Sequence, residues 1–197
     1  MKTVSNIPKQ LIYETFEGHA IYRKGYRAFI SGLEKLEAIP MGTSALQWFI
    51  INVIYRKLLM DLPGTFTIGA GELGLHLSSN TNFAADIAVY RPGQFQVGFQ
   101  ATKYAESPPS LVVEVDIKID ESGYFQNDED YFQRKTEKLL QWGVERVIWV
   151  FPVSRRILIA DNLQKWELCS WELPVTLLDS CSIPLWDELL KNGFENT

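Results

Sequence analysis

The chain has 197 residues, of which 46% are hydrophobic, so it can bury one substantial core but is short for two ordinary domains. Its net charge of −5 argues against a protein that coats nucleic acid electrostatically, although an enzyme with a local basic groove stays compatible with it. No window holds the roughly 18 uninterrupted apolar residues of a membrane span, and residues 1–5 lack the apolar stretch of a signal peptide. We therefore expect a single cytoplasmic domain over residues 1–197, with no membrane partner.

Hydrophobic periodicity and turn residues predict alternating strands and helices. In chain order we expect a β-hairpin, a short helix, a long helix, three strands, a central apolar strand, a second long helix, three further strands and a closing helix. The predicted bounds are residues 12–16 with 20–24, 28–38, 43–62, 65–68, 73–77, 84–90, 111–115, 131–142, 146–151, 155–160, 166–169 and 185–191. Thr43 or Ser44 would cap the first long helix, and Gly143 would be the C′ residue of the second. The order predicts an α/β (α+β) fold, with strands before and after one crossover helix.

A glycine-rich segment, residues 69–74, spells the G-x-G-x-x-G pattern of dinucleotide-binding sites. That fingerprint requires a helix to begin at the glycines, whereas strand-like alternation follows here. We therefore predict a strand, a turn and a second strand, and no nucleotide cofactor.

Two carboxylates interrupt apolar strands: Asp86 in Ala-Ala-Asp-Ile-Ala-Val and Glu114 in Leu-Val-Val-Glu-Val. A buried carboxylate is costly unless it is paired or binds a metal ion. Hard cations prefer carboxylate oxygens and keep waters for substrate phosphates, so two such residues at a sheet edge favour a Mg²⁺ or Mn²⁺ site. Strand alternation would place Asp116 and Lys118 on the same face as Glu114. A turn network around Asp86 is the structural alternative.

Lys135 falls within the inward stripe of the second long helix, together with Tyr131, Phe132 and Leu139. A lysine directed at the sheet needs a reason, and pairing with Glu114 beside a metal-bound water would provide one. A buried ion pair that fixes the register of strand and helix is the alternative.

Four blocks of the chain, in this order, resemble a known family. They are Tyr-Glu-Thr-Phe-Glu-Gly at 13–18, Phe-Ala-Ala-Asp-Ile-Ala-Val at 83–89, Pro-Pro-Ser-Leu-Val-Val-Glu-Val at 108–115, and the helix and strand of residues 135–150. The chain resembles the Uma-two family, a branch of the PD-(D/E)xK nuclease superfamily. The resemblance implies a restriction-endonuclease-like core, in which a mixed β-sheet is flanked by helices, here with an N-terminal hairpin and helical extension. It also implies a metal-dependent endonuclease that hydrolyses phosphodiester bonds in DNA.

The resemblance implies roles for individual residues. Asp86 and Glu114 would hold the Mg²⁺ or Mn²⁺ ion. Asp116 stands where the family pattern has another residue, and we expect it to add a third carboxylate to the same ion. Lys135 matches a catalytic lysine that the family has moved from the strand to the following helix, where it would assist the attacking water. Glu14 matches a frequent N-terminal acid and is a possible accessory residue.

The chain also departs from the family pattern. Ala85 replaces the proline of the P-D element, and Asp116-Ile117-Lys118 is itself a literal D-x-K. Lys118 is therefore a rival for the lysine role. We prefer Glu114 with Lys135, because the apolar strand carries the resemblance and Lys135 has the unusual inward position.

Three classes of function follow from these observations. The leading prediction is a DNA endonuclease, with a homodimer as the expected assembly because double-strand cutting usually needs two sites. The second is a catalytically silent nuclease-like domain that binds nucleic acid or a protein partner, which Asp116 and the acidic composition favour. The third is an oligomerisation domain. Basic and aromatic side chains are interspersed over residues 22–29. This pattern is typical of a surface that contacts phosphates or of a solvated hairpin edge.

Overall fold

The computed structural model describes residues 7–97, 103–120 and 123–195, so residues 1–5, for which we predict no export signal, lie outside the described residues. Strands and α-helices alternate along the described chain. They are β1 Ile12–Phe16, β2 His19–Arg23, α1 Tyr26–Ser31, α2 Ala45–Asp61, β3 Thr67–Ser78, β4 Thr81–Tyr90, β5 Leu111–Val115, β6 Ile119–Asp120, α3 Asp128–Trp142, β7 Arg146–Phe151, β8 Arg156–Ala160, β9 Trp166–Ser170, β10 Pro174–Leu178, β11 Cys181–Pro184 and α4 Leu185–Lys191. None of the helices in these ranges combines the length and apolarity that crossing a membrane requires.

Nine of the described strands form one mixed sheet in the order β6-β2-β1-β4-β5-β7-β8-β9, with β3 also paired to β4. β5 and β7 are parallel, and α3 lies in the crossover between them, whereas β4 is antiparallel to both β3 and β5. The predicted mixed sheet flanked by helices, with its N-terminal hairpin, is therefore confirmed.

The sheet separates two hydrophobic cores. On one face Val113 and Val115 of β5 pack with α2, α4 and the β10–β11 hairpin. On the other face Val112 packs with Tyr131 and Leu139 of α3. Because side chains alternate along a strand, Glu114 shares the α3 face with Val112.

Local signals explain where the long helices begin and end. Ser44 caps α2 through a capping box, in which its hydroxyl accepts from the Gln47 amide and its own amide donates to the Gln47 side chain. Gly143 ends α3 in the left-handed conformation, at a φ of +117°, as predicted. The predicted helix over 28–38 is wrong, because Gly32 adopts a φ of +76° and ends α1, and only a single 3₁₀ turn, Leu36–Ala38, follows.

The predicted strand–turn–strand over residues 65–77 is also wrong, because β3 is one continuous strand. The glycines lie at a β-bulge between Ala70 and Leu73, where Gly71 and Glu72 both have positive φ angles. The β10–β11 hairpin was not predicted either.

Candidate active site

The candidate site lies where two strands diverge along one edge of β4. β1 pairs with β4 at Asn82, and β5 pairs with it from Ile87 onward. Between these positions the Ala84 amide donates to Glu14 Oε1 at 2.9 Å, and the Ala84 carbonyl accepts from Lys135 Nζ at 3.0 Å. On this edge of β4, no strand of the described residues pairs with Ala84, so side chains satisfy its backbone groups instead. This explains why charged residues are buried inside the sheet.

Lys135 has a charged, fully buried environment. Its side chain is 1% exposed, and Nζ lies 2.5 Å from Glu14 Oε1 and 2.9 Å from Glu114 Oε1. Burial by itself would lower the pKa of Lys135, but the charges of Glu114 and Glu14 outweigh it and hold the pKa above its ordinary value. The predicted contact between Lys135 and Glu114 is present, and Glu14 joins it, with its other oxygen accepting from the Tyr131 hydroxyl at 2.8 Å.

Asp86 is equally buried and has a lysine of its own. Its Oδ2 accepts from the Val115 amide at 2.8 Å, and its Oδ1 forms an ion pair with Lys118 Nζ. The same ammonium group lies 3.3 Å from Glu72 Oε1. Burial would lower the pKa of Lys118, but Asp86, Glu114 and Glu72 reverse this and raise it. The structure therefore brings both candidate lysines to the buried carboxylates of Glu14, Asp86 and Glu114, which we call the carboxylate cluster.

Asp116 does not continue the alternation of β5. The strand ends at Val115, and Asp116 adopts a φ of +65°, which redirects its side chain. Its Oδ1 accepts from the Ile117 amide at 2.8 Å, and its Oδ2 lies 3.4 Å from Gln47 Nε2. Gln47 Nε2 also donates to the Val115 carbonyl at 3.1 Å. The expectation that Asp116 shares the face of Glu114 is thus wrong, because the left-handed backbone interrupts the pleat.

Glu114 provides the test of whether the cluster fits a divalent cation. Its Oε1 is buried and makes no hydrogen bond of acceptable geometry with any described residue, although Lys135 Nζ lies at ion-pair distance. Burial raises the pKa of Glu114 and Lys135 opposes this, while Asp86 and Glu14 add to the increase, so that the pKa of Glu114 lies above its ordinary value. Across the residues that the structure describes, no three His, Cys, Asp or Glu side chains are already grouped as a metal site. Asp86, Glu114 and the Val115 carbonyl nevertheless offer oxygen donors of the kind that Mg²⁺ takes together with waters.

Three residues near the cluster were missed by sequence analysis. Glu72 is brought in by the bulge, which the glycine pattern concealed. Gln47 was detectable, because Ser44-x-x-Gln47 is a capping-box pattern. Tyr13 directly precedes Glu14; its ring lies 4.8 Å from the Arg23 guanidinium carbon, and its hydroxyl is buried without a hydrogen-bond partner among the described residues.

A cavity of about 490 Å³ opens beside Lys118. Its charged lining residues are Arg23, Lys24, Lys118 and Asp116, three cations against one anion. The segment with alternating bases and aromatics thus contributes Arg23 and Lys24 to this wall. A locally basic cavity therefore adjoins the carboxylate cluster, although the chain as a whole carries a net negative charge.

The mixed sheet with its crossover helix has the arrangement of a restriction-endonuclease-like fold. A crystal structure from Anabaena variabilis, described as a candidate nuclease belonging to DUF820, is similar over 95% of this chain and 94% of that one. The TM-score is 0.65 at 12% sequence identity, so the likeness concerns the fold. No family model and no curated protein sequence matches the chain.

Proposed function

We propose that the chain is a Mg²⁺- or Mn²⁺-dependent endonuclease of the Uma-two type that hydrolyses phosphodiester bonds in DNA. The observation that carries this proposal is the pair of buried carboxylates, Glu114 and Asp86, at the fork of β4. The fold shared with a candidate nuclease of DUF820, which is the Uma-two family, supports it.

Asp86, Glu114 and the Val115 carbonyl would hold the ion, and Gln47 would orient that carbonyl through its 3.1 Å hydrogen bond. When bound, the ion would polarise the phosphate of the substrate and lower the pKa of a water molecule. The sequence predicted Asp116 as a metal ligand. In this proposal its carboxylate would instead hold the Gln47 side chain at the edge of the site.

The two lysines take different parts in this proposal. Lys135 is 1% exposed and its ammonium group contacts the carboxylates of the cluster, so it balances the charges of Glu14 and Glu114. Lys118 is 10% exposed and borders the basic cavity, so it is the better placed to meet a phosphate oxygen or the attacking water. We therefore assign to Lys118 the substrate-facing role that the sequence favoured for Lys135.

The charge of the cavity wall indicates the class of substrate. Arg23, Lys24 and Lys118 offer three cations around a cavity that adjoins the carboxylates. Lysine and arginine side chains in such a groove neutralise successive phosphates of a nucleic-acid strand. The charge therefore supports a nucleic acid as the substrate, and we propose DNA because the resemblance to the Uma-two family implies it.

Cleavage of supercoiled plasmid in Mg²⁺ or Mn²⁺ tests this function. We expect nicked or linear product with the wild type, none in EDTA, and at least a ~100-fold lower rate for Asp86→Asn and Glu114→Gln. Asp161→Asn is the matched control, because that carboxylate pairs with Arg146 at the surface and should leave the rate unchanged. Wild-type rates in the Asp86 and Glu114 variants would refute the proposed site.

A second function is favoured by one observation: Lys118 and Lys135 already neutralise charges of the carboxylate cluster. Carboxylates whose charges are already balanced by lysines do not need a metal ion. Such a site suits a catalytically silent domain that binds nucleic acid. Retardation of DNA in a gel, with no cleavage in any divalent cation, would favour this alternative.

A further inference from the structure

Glu72 has no part in the proposed chemistry, yet the fold delivers it to the cluster in an unusual way. An extra residue in β3 opposite β4 forms a bulge, and Glu72 adopts a φ of +57° there. A bulge bends the strand and re-aims a side chain, and a non-glycine residue in the left-handed region costs conformational energy. The bulge brings the Glu72 carboxylate to 3.3 Å from Lys118 Nζ and 3.5 Å from Arg23 Nη2.

Lys118 lies between two carboxylates of different exposure. Asp86 is 1% exposed and inside the cluster, whereas Glu72 is 28% exposed and at the rim. The lysine has a flexible four-carbon stem, so its ammonium group can exchange one carboxylate for the other over a short distance.

An ammonium group and a divalent cation repel each other strongly when both lie at contact distance from Asp86 Oδ1, because little solvent reaches this oxygen to screen their charges. The ion pair of Lys118 with Asp86 therefore competes with any metal that uses this oxygen. Glu72, whose Oε1 lies 3.3 Å from Lys118 Nζ, offers the displaced ammonium group a carboxylate partner at the rim.

We propose that Lys118 competes with the divalent cation for Asp86, and that Glu72 is a positioning residue that receives the Lys118 ammonium group when the cation binds. This inference rests on the proposed function, since it concerns the same ion. Competition between Lys118 and the cation for Asp86 sets the metal affinity of the site. The contact with Glu72 then places the Lys118 ammonium group at the rim of the cavity.

Calorimetric titration of Mn²⁺ into four full-length proteins tests the proposal: wild type, Lys118→Met, Glu72→Gln and the double variant. We expect Lys118→Met to bind Mn²⁺ roughly tenfold more tightly, because the competing charge is gone. Glu72→Gln should weaken binding, and should weaken it more in the wild-type background than in the Lys118→Met background. Lys24→Met, which removes a cation from the same cavity wall, controls for the change in net charge and should leave the affinity nearly unchanged.

The outcomes separate this proposal from the nuclease assignment. Unchanged or weaker Mn²⁺ binding by Lys118→Met would overturn the competition while leaving the metal site in place. A larger effect of Glu72→Gln in the Lys118→Met background than in the wild-type background would mean that Glu72 attracts the cation directly, without Lys118. That result would also overturn the proposed role of Glu72. Absence of Mn²⁺ binding in all four proteins would remove both proposals.

A measurement on the wild type covers the case in which Lys118→Met does not fold. Acetic anhydride acetylates lysines according to their accessibility, and mass spectrometry resolves the individual sites. We expect the Lys118 rate to rise in saturating Mg²⁺, with Lys24 as an unchanged internal reference. An unchanged Lys118 rate would contradict the displacement.

Discussion

Lys135 lies with its ammonium group between Glu14 and Glu114, and it also donates to the Ala84 carbonyl that no strand reaches. Burying three charges is costly, and the cost is offset only while each one has its partners. The buried ion pair between helix and strand, one of the two alternatives that the sequence left open, is therefore present, whereas a part for Lys135 in metal chemistry stays a prediction.

Lys135→Met removes this charge while retaining much of the side-chain volume. Glu14 and Glu114 would be left buried without their cation, so we expect the free energy of unfolding to fall by about 3–5 kcal/mol. Urea denaturation measures it. Lys138→Met on the same helix, where the native side chain is 37% exposed and pairs with Glu17, should cost less than about 1 kcal/mol. Equal midpoints for the two variants would show that the buried charge is not needed for stability.

Asp116 carries a second prediction at this scale, because its carboxylate is directed at the Ile117 amide and at Gln47. We expect Asp116→Asn, which keeps one acceptor oxygen for the Ile117 amide, to bind Mn²⁺ with nearly wild-type affinity, whereas Asp86→Asn should abolish binding. Titration calorimetry on the two variants checks this. Equal losses would restore Asp116 to the metal ligands that we predicted from the sequence.

At the scale of single elements, α2 joins the fold to the site. Its capping box uses Gln47 Oε1, and the amide nitrogen of the same side chain donates to the Val115 carbonyl at the end of β5. The start of this helix therefore determines how the carbonyl beside Glu114 is held.

Ser44→Ala should remove the cap and lower the free energy of unfolding by about 1 kcal/mol. Thr43→Ala is the matched control, since the sequence allowed either residue as N-cap and the Ser44 hydroxyl is the one that accepts from the helix. Thermal or urea unfolding distinguishes them. A larger loss for Thr43→Ala would contradict the assigned cap.

Glu17 ties the turn between β1 and β2 to α3. Hydrogen bonds from Lys138 and Tyr124, with the charge of Arg134, hold the pKa of Glu17 at about 2, below its ordinary value of 4.5. A carboxyl group whose pKa is lowered on folding stabilises the protein above its unfolded pKa, and this stabilisation is lost as the pH falls through the folded pKa. We expect the stability of the wild type to exceed that of Glu17→Gln at pH 7 and to converge with it between about pH 4.5 and 2.

Urea unfolding of both proteins across this range measures the difference, which solvent screening keeps modest because the Glu17 side chain is 38% exposed. A constant difference from pH 7 to pH 2 would exclude Glu17 as the titrating group.

Local patterns predicted most elements well, since caps, turns and hydrophobic period act over a few residues. α4 was predicted with its observed bounds, and the end of α3 at Gly143 follows from glycine's access to the left-handed conformation. The bulge in β3 was missed, because the same glycines fit a turn between two strands. Only the pairing with β4 decides between these possibilities.

At the scale of the whole molecule, the candidate site depends on contacts that no local pattern contains. Glu14 and Lys135 are 121 residues apart and meet at the fork where β1 and β5 leave β4. The sequence identified Asp86, Glu114 and Lys135 as polar residues in apolar surroundings. It could not predict that Lys118 would pair with Asp86 or that Glu72 would join it, because both depend on the course of the backbone after β5 and within β3.

The most direct test of the account is a crystal structure of the wild type grown with Mn²⁺, with diffraction data collected at the manganese absorption edge. We predict an anomalous peak about 2.1 Å from oxygens of Asp86 and Glu114. In the same map Lys118 should be withdrawn from Asp86 towards Glu72. A Mn²⁺ peak elsewhere, or none with Lys118 still paired to Asp86, would contradict the assignment of a metal-dependent active site to this cluster.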